Sequence, residues 1–261
     1  MTAQITQSSI NASRAAIVRD REDLALAFRL AERFGFHEGI CNHFSVRLVT
    51  EDERYLINPY GVHWSEIEAD SLLMIDGEGK ILQGDGEVEA TARFIHVAGH
   101  RANLRHRVLL HTHMPYATAM TMLEGEAANL AMAHQTATRF HDRIAYERRF
   151  GGLAQDEAEG VKIAAQTQSM QQADVIFLAN HGVVVGGSSV AMAFDDLYYL
   201  ERACRQQVLA LQTGAPLKLV DDETTQLTAA QIMADMPEFA EKHFRALQRV
   251  LENNPQHVFV F

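Results

Sequence analysis

The chain is poor in cysteine, in tryptophan and in proline, with two, one and five of these among 261 residues. Two cysteines, Cys41 and Cys204, build no disulfide framework and fit a reducing cytoplasm. Basic charge is also scarce: 23 Lys and Arg stand against 34 Asp and Glu, a net charge of −11. That balance supplies no electrostatic footprint for nucleic acid and no basic face for an anionic membrane. No apolar run approaches the roughly 18 residues of a membrane span, and the polar start Met1-Thr-Ala-Gln-Ile has none of the features of a signal peptide. Repeats, linkers and low-complexity stretches are missing as well. With 47% hydrophobic residues the chain can bury a sizeable core, and a single α/β domain over 1–261 is the economical expectation.

What the chain has in quantity is histidine, thirteen of them. Two stretches organise them. In Arg107-Val-Leu-Leu-His-Thr-His113 a short apolar run, typical of a buried strand, ends in two histidines. Residues two apart on a strand share a face, so His111 and His113 project side by side while Thr112 points away. Some seventy residues later Val175-Ile-Phe-Leu-Ala179 ends in Asn180-His181-Gly182, which can bring a third imidazole from a neighbouring strand end. Three neutral imidazoles at a sheet edge suit a divalent metal that keeps a position open for water or substrate. Zinc heads the choice, with manganese, cobalt and iron open, because affinity order alone does not select the metal.

The rest of the chain reads as alternating elements. Residues 1–15 are polar and aperiodic, a loose N-terminal arm. Apolar residues from Leu24 to Phe34 recur at helical spacing. Short strands are expected near Phe44, at 55–57, 72–75 and 80–82, with turns at Asn58-Pro-Tyr-Gly61 and Asp76-Gly-Glu-Gly79. Helices are expected over 90–102, from Pro115, and over 156–170; residues 124–154 read as a long functional or interface loop. A strand over Gly182–Gly187 leads into a helix from 190 to about 213, and residues 215–261 form a helical extension with its last helix near 229–251. Of the other histidines, His96 is expected to pack internally, His100 to be peripheral, and His37, His106, His243 and His257 to be solvated.

Three pieces in this order resemble the class II aldolase/adducin family: Gly39-Ile-Cys-Asn-His-Phe-Ser45-Val-Arg47, Val108-Leu-Leu-His-Thr-His113-Met-Pro-Tyr-Ala-Thr118, and Asn180-His181-Gly182. The resemblance runs from about residue 20 to 214. It implies a three-layer αβα sandwich with a mixed central sheet, and a homotetramer with sites at subunit interfaces. It also implies metal ligation by His111, His113 and His181, and aldolase-type cleavage of a small hydroxy-carbonyl substrate through a metal-bound enediolate.

The chain departs from the pattern of the family's phosphosugar enzymes. Their general acid/base glutamate falls on Ala92 if the histidine opening the next helix is His96; Glu89 and Glu87 lie upstream, and Glu89 is the candidate replacement. Those enzymes grip phosphate with an Asn where this chain has His43, with a Thr-Pro-Ser-Gly turn where it has Asn58-Pro-Tyr60-Gly61, and with a Ser pair where it has Ala90-Thr91. His43, Ser45, Tyr60 and Gly61 are therefore the substrate-binding candidates, in a pocket with His63 and Trp64 that fits a carboxylate, a polyol or an aromatic acid at least as well as a phosphate. Tyr146, in the stretch where aldolases of the family present an acid across a subunit boundary, is the candidate proton donor. Decarboxylation of a hydroxy-aromatic or hydroxypyridine acid is the alternative, since loss of carbon dioxide needs no base. An adducin-like, non-catalytic interaction scaffold is the alternative of another class.

Overall fold

Val108–Thr112 forms a strand buried along its whole length, as its unbroken apolar run requires, and the fold is built outward from it. A computed structural model describes residues 7–152, 158, 173–255, 257 and 259. Eight strands form one sheet: β1 (His43–Arg47), β2 (Arg54–Ile57), β3 (Leu73–Asp76), β4 (Ile81–Gln83), β5 (Val108–Thr112), β6 (Ile144–Glu147), β7 (Val175–Leu178) and β8 (Gly182–Gly187). Their spatial order is β4-β3-β2-β1-β5-β8-β7-β6. Every pairing is antiparallel except β6 with β7, so the sheet is mixed.

Alternation along the strands divides the core. Phe44, Val46, Val108, Leu110, Phe177, Val183 and Val185 pack on one face with α1 (Gln7–Phe34), α3 (Pro115–Thr121) and the long helix α5 (Val190–Leu211). Phe28, Phe44 and Trp64 interlock there, ring centroids 4.7 to 4.9 Å apart. Leu109, Ile176 and Leu178 face the other way with Ile95 of α2 (Ala90–Ala102), next to a smaller cluster of Tyr55, Ile57, Ile75 and Ala92. The short helix α4 (Gln135–Thr138) and the long α6 (Asp222–Asn253) complete the described elements, α6 burying Met236, Ala240, Phe244 and Leu247. Among the described residues no helix is long and apolar enough to cross a membrane.

Three expectations change. The N-terminal stretch is not a loose arm from residue 7 onward: α1 begins at Gln7, seventeen residues before the apolar period does, in a segment without proline or glycine. The supposed loop 124–154 contains α4 and β6, the latter existing as a strand through its pairing with β7 at the sheet edge. The last helix starts at Asp222, where Asp221 accepts a hydrogen bond from Thr224 N–H as N-cap. The helix expected over 156–170 lies outside the described residues except at 158.

Topology fixes where the histidines meet. β5 runs antiparallel to β8, pairing Thr112 with Val183, so the turn between β7 and β8 sits at the end of β5. β1 is antiparallel to β5 on the other side, pairing His43 with His111. One edge of the sheet thus gathers the end of β5, the start of β1 and the β7–β8 turn. The fit is close: a Cβ on Gly182 would meet the Thr112 carbonyl oxygen at 2.5 Å and the His113 ring at 2.6 Å.

Candidate metal centre

At this edge His111, His113 and His181 offer ligand nitrogens that all lie within 4.8 Å of one another. Their ring centroids are 4.8 to 5.1 Å apart. Asn180 adopts φ 55°, the left-handed conformation asparagine tolerates, and turns His181 back over β5.

Two of the outer nitrogens are committed. His111 Nδ1–H donates to the Val183 carbonyl at 3.0 Å, which leaves Nε2 with its lone pair free. His113 Nδ1 is bound by the Glu38 carboxylate, a pairing that orients a metal-ligating imidazole. His113 Nε2 is buried with no hydrogen-bond partner among the described residues. An orphaned buried nitrogen costs free energy unless something takes its lone pair. Burial, with the neighbouring imidazoles of the cluster adding to it, holds His181 down at about 4 and His111 well below the ordinary range, so both are neutral near pH 7. Neutral imidazoles converging in this way fit a divalent cation, and the donor set suits zinc and its neighbours.

His43 stacks beside the cluster, 4.9 Å from the His111 ring, and burial pushes it down to about 3. Its Nδ1 meets His96 Nε2 at 2.7 Å. Ser45 Oγ lies 2.5 Å from His96 Nδ1 and 2.7 Å from His100 Nε2, and His100 Nδ1–H donates to the His106 carbonyl at 2.9 Å. His106 Nε2 in turn contacts Asp174 at 2.8 Å. His96, as expected, is internal. His100 is not peripheral and His106 is not solvated: both are buried, because Ser45 and Asp174, distant in sequence, satisfy their ring nitrogens. His37 and His243 are also partnered, by His63 at 3.2 Å and by Asp195 at 2.6 Å.

The other candidates are placed as follows. Glu89 caps α2, its Oε2 accepting from Ala92 N–H at 2.8 Å and from the Thr91 hydroxyl; the same oxygen lies 3.8 Å from His43 Nε2. Ser45 is fully buried between two imidazoles, so its hydroxyl is used inside the protein. Tyr60 is exposed beside Gly61, which has φ 83° in the turn, and Tyr60 N–H donates to the Glu87 carbonyl. Trp64 is not in the pocket: its ring is in the core with Phe28. Tyr146 sits on the sheet face opposite to His43 and His111, stacked on Phe177, with its hydroxyl accepting from Leu130 N–H. Burial raises that phenol to about 12. Sequence reasoning passed over Glu38; its signal was a lone acidic residue just before the Gly39–Arg47 motif.

A layered α/β fold with a three-histidine centre at a sheet edge defines the class. Residues 22–208 match the family model described as Class II Aldolase and Adducin N-terminal domain, and the chain belongs to that family. A Caulobacter vibrioides protein named for aldolase class 2 is 32% identical over 212 residues, 79% of this chain and 78% of its own. Mouse alpha-adducin is 30% identical over 245 residues; the match takes in 88% of this chain but only 32% of the adducin. The crystal structure of an aldolase II superfamily protein from Pseudomonas syringae superposes with a TM-score of 0.82 at 31% identity, covering 91% of this chain and 93% of that one.

Proposed function

We propose that the protein is a divalent-metal-dependent carbon–carbon lyase that cleaves a small hydroxy-carbonyl compound in the manner of an aldolase. The observation that carries this reading is the convergence of three imidazoles, with the outer nitrogens of His111 and His113 engaged by Val183 and Glu38. His111, His113 and His181 would hold the cation, zinc in the first instance, which when bound supplies Lewis-acid stabilisation of charge developing on the substrate's oxygen atoms. The protein's own contribution is positional. The buried edge of the sheet excludes water on the β1 side, and Glu38 and the Val183 carbonyl hold two rings in one tautomer.

Proton transfer falls to Glu89, the carboxylate 3.8 Å from His43 Nε2. Position 92 cannot serve, since Ala92 is buried in an apolar cluster with Ile57 and Ile75. Tyr146 would act only across a subunit boundary, in a homotetramer whose sites lie between subunits. The buried Ala92 also supports a second reading: a decarboxylase needs no base to deprotonate a hydroxyl, so a hydroxy-aromatic acid is the alternative substrate.

The adducin relatives make a non-catalytic scaffold the rival class, and metal content separates the two. Wild type and His181→Ala are purified side by side without chelator and their metal measured per chain. Near-stoichiometric divalent metal in wild type and its loss in the variant are expected, followed by C–C cleavage in a screen of hydroxy-carbonyl compounds. Wild-type protein that cannot be loaded with any divalent metal removes the lyase reading.

A further inference from the structure

The buried array from His106 to His43 has a direction. His100 Nδ1 faces a backbone carbonyl, which can only accept, so Nδ1 carries the proton. In a neutral imidazole the other nitrogen then lacks one, so His100 Nε2 accepts from the Ser45 hydroxyl. With its hydrogen spent, Ser45 Oγ accepts from His96 Nδ1–H. His96 Nε2 is therefore bare and accepts from His43 Nδ1–H. The last ring is left with its lone pair on Nε2, on the side of Glu89 and beside His111. His43, His96 and His100 are 4%, 1% and 0% exposed, and so much burial opposes charging three adjacent rings.

We propose that this array presents His43 Nε2 to the site as a hydrogen-bond acceptor, so that the substrate group seated against it is a hydroxyl and not a phosphate. The proposal rests on the lyase reading and names its substrate class: a polyhydroxylated carbonyl or hydroxy acid without phosphate at that end. The His43 lone pair and the Glu89 carboxylate, already accepting from Ala92 N–H and the Thr91 hydroxyl, stand 3.8 Å apart, and His43 Nε2 is the acceptor that calls for a donor. An anionic oxygen there would meet a lone pair on one side and a negative charge on the other. An amide side chain at 43, as in the phosphosugar enzymes, has an N–H₂ to offer; an imidazole with its only proton turned inward has none. Ser45, His96 and His100 are positioning residues in this scheme, holding the tautomer of the one ring that touches substrate.

The first measurement needs no metal. Nitrogen-15 spectra of the histidine rings in metal-free protein report which nitrogen carries the proton, with His43 assigned by the signals missing from His43→Asn. Nδ1-protonated His43 is expected, and Ser45→Ala is expected to lose that single tautomer while Ser45→Thr keeps it. Nε2-protonated His43 in wild type overturns the proposal.

The second measurement titrates zinc-loaded protein calorimetrically with lactate, glycerate and 3-phosphoglycerate, which share one chelating head. Glycerate is expected to bind about tenfold more tightly than lactate, the worth of one hydrogen bond, and 3-phosphoglycerate more weakly than either. His43→Asn, checked for folding by thermal unfolding, is expected to reverse the order of glycerate and 3-phosphoglycerate. Equal affinity for all three in wild type overturns this assignment while leaving the lyase reading standing. Protein that takes up neither zinc nor lactate overturns both, and the ring spectra still decide the direction of the array.

Discussion

Among single residues Glu38 makes the sharpest test, because it is exposed yet bonded to a half-buried ring of the three-histidine cluster. Its carboxylate is 66% exposed, so removing it costs the fold little, but among the described residues it is what engages His113 Nδ1. A carboxylate behind an imidazole fixes the ring and raises its basicity, and losing such a partner typically costs ten- to a hundredfold in metal affinity. Glu38→Ala should therefore weaken zinc binding by roughly that factor with an unchanged melting temperature, measured by competition with a chromophoric chelator. Glu38→Gln, which can still accept from Nδ1–H, should recover part of the loss. Equal affinity in all three proteins would make the contact incidental.

The elements explain which parts of this site a reader of the sequence can find. β5, β7 and β8 are visible because each is an apolar run of strand length, and the histidines are visible because they end two of those runs. β6 is not: four residues between Arg143 and Arg148 carry too little period, and the parallel pairing of Ile144–Glu147 with Val175–Leu178 makes them a strand. The burial of His100 and His106 is hidden for a related reason. Imidazole composition says nothing of burial until partners 55 and 68 residues away, Ser45 and Asp174, are in place. The β5–β8 contact that brings the two runs together leaves room only for glycine at 182. Gly182→Ala would drive a methyl group into the Thr112 carbonyl and the His113 ring. We expect about 2 kcal/mol of destabilisation, of the size seen for overpacking, together with loss of zinc affinity. Urea unfolding and metal titration read the two effects, and a stable variant with native affinity would contradict the packing described.

For the molecule as a whole, the buried histidines set a dependence of stability on pH. Burial pushes His100 down to about 3 and His96 well below its ordinary value, whereas both titrate near 6.5 in the unfolded chain. Folded pKa values below unfolded ones mean that between about 3 and 6.5 the unfolded chain binds more protons. Stability then rises with pH in that window; it is complete above about 6.5 and is lost progressively as the pH falls towards 3. Each such histidine contributes a slope of up to about 1.4 kcal/mol per pH unit. Glu201 works the other way. Burial raises its carboxyl to about 7, so its share of stability is present at low pH and is lost as the pH rises through that value. Its two backbone donors, Tyr116 and Ala117 N–H at 2.8 Å, limit the rise. Metal-free protein should therefore be most stable near neutrality and unfold in acid well before its surface carboxylates are protonated. His100→Gln, which keeps an N–H for the His106 carbonyl and an acceptor for Ser45, should flatten the acid limb by close to one proton. Urea midpoints taken from pH 7 down to pH 5 measure that slope directly. A variant that unfolds with the same slope as wild type would show that His100 takes up a proton without leaving the fold, and the line of neutral imidazoles behind His43 would have to be redrawn.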